Sequence, residues 1–131
     1  MSMLDFITLP DLPPVAPYSH AVRAGDFLFV TGQLSEDPAT GEVIPDNIEA
    51  QTRRVMENLQ KVLERSGSSL EQVAMVRIFI TDFRDYETVN AIYQSYFTPG
   101  RYPGRTTVGV TALAGKGNIE VDLIAYCGES S

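Results

Sequence analysis

Residues 73–81, VAMVRIFIT, alternate with the period of a β-strand and are apolar on both faces. The Ala74, Val76, Ile78, Ile80 face has no polar side chain, and the opposite face, Val73 to Thr81, has only Arg77 and Thr81. A strand with one side in water shows a cleaner alternation, so this one belongs inside a sheet covered on both sides. At 131 residues the chain holds one core and is expected to form one domain over residues 1–131. It has two stretches of helical periodicity, and two helices cover only one face of a five- or six-stranded sheet. The second face is expected to be buried by another subunit, with an N-terminal segment folded across it as the alternative.

The longer helical stretch is residues 47–66, striped by Ile48, Val55, Leu59, Val62 and Leu63. Asp46 is its expected cap, with Glu49 three residues on, and Gly67 is placed to end it. The second stretch runs from Phe83 or Asp85 to Phe97, with Tyr86, Val89, Ile92, Tyr93, Tyr96 and Phe97 on one stripe and Pro99-Gly100 after it. Upstream, residues 20–23 and 27–33 flank Ala24-Gly25-Asp26, a hairpin signal. Residues 105–111 and 119–126 read as the last two strands. Residues 10–19 hold four of the eight prolines and read as a non-helical entry segment, and residues 37–46 as a polar loop. The predicted fold is α+β: one mixed sheet of five or six strands with two helices on one face.

Ten Lys and Arg against 17 Asp and Glu leave a net charge of −7, which opposes a phosphate-backbone binder. The single cysteine, Cys127, makes no internal disulfide, and the single histidine, His20, leaves no zinc spacing and no HExxH. A Cys127–His20 nucleophile pair is formally open, but chance singletons account for the two better. No apolar run approaches the ~18 residues of a membrane span. The opening MSMLDFITLP lacks the basic and apolar regions of a signal peptide. The expected location is cytoplasmic, with neither nucleic acid nor membrane as partner.

Four polar residues interrupt apolar periodic segments: Arg77, Asn90, Glu120 and Asp122. Asn90 shares a helical face with Tyr86, Tyr93 and Phe97. Arg105 opens its strand directly after Pro103-Gly104. On spacing alone, Arg105 and Glu120 read first as a cross-strand ion pair, and Asn90 as a side chain bonded to a loop. No phosphate-binding loop, dinucleotide fingerprint, nucleophile elbow or metal motif is present.

The blocks APYSHAV (16–22), FLFVTGQL (27–34), NIEAQTRRVMENLQKVLERSG (47–67), DYETVNAIYQSYF (85–97), PGRTTVGV (103–110) and NIEVDLIAY (118–126), taken in order, resemble the RidA/YjgF family of reactive intermediate (imine) deaminases. The resemblance spans about residues 14–126. It implies a chorismate-mutase-like α+β fold, a homotrimer with sheets inward and helices outward, and ligand sites between adjacent subunits. It implies hydrolysis of 2-imino acids to 2-keto acids and ammonia, with no cofactor and no metal. Arg105 matches the family's carboxylate-binding arginine, and its planar fork suits a carboxylate. Glu120 matches the acid that positions or activates water. Tyr18 matches an aromatic residue lining the cleft, and Gly32, after Thr31, a tight turn beside the ligand. Asn90 matches a helix asparagine near the site. Thr107 stands where some relatives have cysteine, its backbone facing the ligand. The chain departs from the common pattern with PGR for PAR and TGQ for SGQ. Three other readings stay open: a pathway-specific deaminase such as one acting on 2-aminomuconate, a non-catalytic carboxylate-binding or chaperone-like trimer, and an endoribonuclease, which the net charge opposes.

Overall fold

The computed structural model describes residues 3–10, 16–37, 39–43 and 47–128. Six strands form one sheet in the order β1 (Leu4–Ile7), β2 (Ala21–Ala24), β3 (Phe27–Leu34), β6 (Ile119–Tyr126), β4 (Val73–Ile80), β5 (Gly104–Gly109). Only β4 and β5 pair in parallel. Parallel neighbours need a crossover, and α2 (Tyr86–Gln94) supplies it. β6 runs antiparallel between β3 and β4, so the longer helix α1 (Ile48–Arg65) connects two strands that run the same way with β6 inserted between them. The architecture is the expected α+β sheet with two helices, in its six-stranded form.

The predicted hairpin closes through Gly25 and Asp26, with Ala24 opposite Phe27 and Gly25 at φ +62°. The cap of α1 is Asn47, whose side chain accepts from the Ala50 N–H at 3.0 Å. Asp46, the expected cap, lies outside the described residues, as do residues 11–15 of the entry segment. Gly67 ends α1 as predicted, at φ +86°, with the Ser68 N–H bonded to the Leu63 carbonyl at 2.8 Å. The second helix is shorter than its stripe. A 3-10 turn over Phe83–Asp85 leads into it, and after Gln94 the chain tightens into three-residue turns that carry Tyr96 and Phe97 onto the core.

The core lies between the helices and the sheet. Val55, Leu59, Val62 and Leu63 of α1 meet Leu28, Val76, Ile78, Ile80, Ile119 and Val121, all nearly sealed from solvent. Each such side chain contributes about 1.5–3 kcal/mol of transfer free energy. The predicted inward face of β4 holds for Val76, Ile78 and Ile80 and fails at Ala74. A register shift against β6 between Val73 and Met75 turns Val73 inward and leaves Ala74 exposed.

Residues 3–10 do not lie across the second sheet face. Residues 4–7 extend the sheet at its edge as β1, and Leu9 is buried with its N–H bonded to His20 Nδ1 at 3.0 Å. The second face therefore presents Phe29, Met75, Arg77, Phe79, Asp122 and Ile124, with Phe29 46% exposed. No helix of the described residues is long and apolar enough to cross a membrane.

Candidate functional site

The seven residues that the resemblance matches to a ligand site fall into two sets on opposite sides of the sheet. Arg105 lies in register with the buried Val76, and Thr107 with the buried Ile78, so both point toward the helices. Glu120 lies in register with Phe79 and between the buried Ile119 and Val121, so it points the other way. The expectation of an Arg105–Glu120 ion pair is thereby overturned.

Arg105 is gripped by α2. Its Nη2 donates to Asn90 Oδ1 at 2.6 Å and to the Tyr86 hydroxyl at 3.3 Å. Its guanidinium carbon stands 4.9 Å from the Tyr93 ring centroid and 5.7 Å from that of Tyr86. Asn90, read from spacing as open to a loop contact, holds the arginine instead. Tyr86 in turn stacks on Phe83, with ring centroids 4.9 Å apart and planes 11° from parallel. The Tyr93 hydroxyl is buried without a hydrogen bond among the described residues, and burial pushes its pKa up to about 12. This phenol stays neutral, and so does the wall it forms beside the cation. The Thr107 hydroxyl, two residues along the same face as Arg105, is also buried without such a bond.

The second set gathers on β3 and β6. Gly32 is not in a tight turn. It lies within β3, where the pairing with β6 shifts register between Val30 and Gln33. Its requirement is room: a Cβ there would stand 2.9 Å from the Glu120 carboxyl carbon. Thr31, the residue before it, donates through its hydroxyl to the Ser19 carbonyl at 2.5 Å, and its N–H bonds the His20 carbonyl. These bonds fix the Tyr18-Ser19-His20 segment alongside β3. Tyr18 itself is 42% exposed, its ring edge-on to His20. Burial, and then the neighbouring Asp122 charge, push the Glu120 carboxyl above its ordinary pKa. Asp122 is occupied by Arg77, which grips it through Nε at 2.9 Å and Nη2 at 2.6 Å. The Glu120 carboxyl accepts no hydrogen bond among the described residues.

Tyr86 and Tyr93 are the residues that sequence reasoning read only as a core stripe. Their spacing from Asn90, four residues before and three after, places all three on one helical face. What could not be read was that β5 would lay Arg105 against that face. No group of three His, Cys, Asp or Glu among the described residues is placed to hold a metal ion.

The sequence model of the family described as endoribonuclease L-PSP matches residues 9–127. A RutC family protein of Pyrococcus horikoshii is 42% identical over 113 residues, which cover 86% of this chain and 89% of that one. The chloroplastic Reactive Intermediate Deaminase A of Arabidopsis thaliana is 37% identical over 111 residues, covering 85% of this chain and 59% of that one. The crystal structure of a member of the conserved Rid protein family from Yersinia pestis superposes with a TM-score of 0.88 at 34% identity, covering 94% of this chain and 98% of the other. Matched nearly end to end in sequence and in fold, the chain belongs to the RidA/YjgF (Rid) family.

Proposed function

We propose that this chain hydrolyses reactive 2-imino acids and their enamine tautomers, with water, to 2-keto acids and ammonia. The observation that carries the reading is Arg105: a guanidinium aimed by Asn90, walled by two tyrosine rings and bound to no carboxylate among the described residues. Such a group is a receptor for a small planar anion. The Arabidopsis relative's name supports the reaction class.

In this mechanism Arg105 fixes the substrate carboxylate and thereby the neighbouring C=N carbon. A carboxylate whose proton affinity burial has raised accepts a proton from water more readily, which is the role assigned to Glu120. Water adds to the C=N carbon, its proton passes through Glu120, and the carbinolamine expels ammonia as the keto group forms. Imines hydrolyse unaided, so positioning and base catalysis of ~10²–10⁴ suffice. Because Arg105 and Glu120 point to opposite sides of one sheet, the reading places each reaction site between two copies of the chain, one giving Arg105 and the other Glu120, in a homotrimer.

The test is hydrolysis of imines generated from several amino acids by a coupled dehydratase or oxidase, wild type beside Arg105→Ala and Arg105→Lys. Loss of turnover in Arg105→Ala, at least about 10²-fold, is expected. Arg105→Lys should also be poor, because an ammonium lacks the fork. Full turnover by Arg105→Ala overturns the assignment. The family description raises an endoribonuclease as the second reading. It predicts RNA binding that weakens steeply with salt, which a protein of net charge −7 is poorly built to give.

A further inference from the structure

The hydrogen bonds around Arg105 carry a consequence for how an anion enters. A guanidinium offers two two-pronged edges to a carboxylate, Nε with Nη2 and Nη1 with Nη2, and both use Nη2. Among the described residues, Arg77 and Arg84 use the first edge. Arg77 holds Asp122 through Nε and Nη2, and Arg84 holds Asp82 through Nε at 3.1 Å and Nη2 at 2.7 Å on one oxygen, with Nε also reaching the other oxygen at 3.0 Å. In Arg105 the two Nη2 hydrogens already have acceptors, Asn90 Oδ1 at 2.6 Å and the Tyr86 hydroxyl at 3.3 Å. Neither two-pronged edge is open until one acceptor yields. The Asn90 bond is short and the Tyr86 bond lies beyond the usual N–H···O range, so Tyr86 is the partner that gives way.

We infer that Tyr86 is a switching partner of Arg105, its hydroxyl holding one prong of the fork until a carboxylate takes that prong, and then donating its own proton to that carboxylate. This rests on the reading of Arg105 as the carboxylate receptor. A phenol that accepts from a guanidinium still has its O–H to give. A carboxylate oxygen bonded to Nη2 comes to about 2.8 Å from that nitrogen, beside a hydroxyl that already stands 3.3 Å away. The two oxygens become neighbours, and the phenol needs little movement to bond the anion. Its ring is meanwhile held by Phe83. Asn90 Oδ1 has no proton to offer and keeps the arginine aimed throughout. Tyr86 thus acts as a specificity-determining residue, because its donated bond is stronger to the charged oxygen of a carboxylate than to the neutral carbonyl of a carboxamide of the same shape.

Calorimetric titration of wild type, Tyr86→Phe and Arg105→Ala with 2-oxobutanoate and with 2-oxobutanamide tests this. Phenylalanine keeps the stack on Phe83 and the ring beside Arg105, so its melting temperature serves as the folding control. Tyr86→Phe is expected to bind 2-oxobutanoate about tenfold more weakly, the loss of one hydrogen bond to a charged group, and 2-oxobutanamide more weakly by a smaller factor, the loss of a bond to a neutral carbonyl. In imine hydrolysis the larger part of its defect should fall in KM. Unchanged or tighter 2-oxobutanoate binding by Tyr86→Phe, while Arg105→Ala loses it, overturns the role of Tyr86 and leaves the carboxylate reading standing. An equal loss for acid and amide likewise overturns it, since packing alone would then explain the effect. Undiminished 2-oxobutanoate binding by Arg105→Ala removes the reading on which the inference rests.

Discussion

Glu120 shows how one residue's surroundings set both its chemistry and its cost to the fold. It is held half-buried against Gly32, beside Asp122, with no donor among the described residues to favour its charge. Its folded pKa is raised, so it binds a proton more tightly folded than unfolded. The ionised form therefore penalises the fold fully above the folded pKa, and the penalty disappears as pH falls below the unfolded value. Glu120→Gln should accordingly lose imine hydrolysis by about 10²-fold while melting no lower than wild type at neutral pH. The wild-type rate should fall on the acid side with a midpoint above the ordinary glutamate value, as the base becomes protonated. A pH–rate profile beside thermal melts of both proteins checks the two signs together. From sequence Glu120 stood out because it interrupts an apolar strand pattern, and Arg105 because it opens its strand directly after Pro103-Gly104. Their separation onto opposite faces was legible only once β6 was known to lie between β3 and β4, because that register decides which way each side chain points.

At the scale of elements, α1 is fastened to the sheet by polar groups as well as by its apolar stripe. Gln51 is fully buried. Its Oε1 accepts from the Asn118 N–H at 2.7 Å and from the Ser35 hydroxyl at 3.3 Å, and its Nε2 donates to Asn118 Oδ1 at 3.0 Å. Asn118 continues the chain of bonds to Thr81 Oγ1 at 3.0 Å. It stands directly before β6 and so anchors the strand that carries Glu120. Gln51→Leu leaves the Asn118 N–H and side-chain amide without these partners, and should destabilise the fold by about 2–4 kcal/mol. A lower urea midpoint at unchanged slope checks it. The helix stripes, the hairpin and the Gly67 stop were readable because local chemistry dictates them. Gln51, Thr52 and Asn58 fall outside the apolar stripe predicted for α1 and yet are buried. Gln51 bonds Ser35 and Asn118, and Asn58 bonds the Leu34 carbonyl, so the chain around Ser35 and Asn118 packs on that side of the helix. The strand β1 was missed for a related reason: LDFI is four residues with an acid inside, and only its pairing with β2 makes it a strand.

For the whole molecule, the sheet face turned away from the helices is the decisive surface. Phe29, Met75, Phe79 and Ile124 lie on it, and its charged pair, Arg77 on Asp122, is satisfied within the chain, with the guanidinium carbon 5.6 Å from the Phe79 ring centroid. Covering such a face leaves the Arg77–Asp122 pair satisfied, which is the condition for burying ions between subunits. It leaves the Glu120 carboxyl as the acid on that face without a donor among the described residues. The proposed reaction, which sets Arg105 and Glu120 on one substrate, needs the same covering, since one chain points them to opposite sides of its sheet. Phe29 separates assembly from folding. It is 46% exposed in the single chain, opposite Ile124, so a charge there costs the fold little. Between subunits the same charge would be buried without a partner, at several kcal/mol per contact. Phe29→Glu should therefore sediment at the single-chain mass of 14.4 kDa, with wild type expected at three times that value, the mass of the proposed homotrimer. It should keep a wild-type far-ultraviolet spectrum and lose imine hydrolysis with Arg105 and Glu120 both intact. Full activity in a folded monomer would show that one chain suffices, and the site would then have to be rebuilt around Arg105 alone.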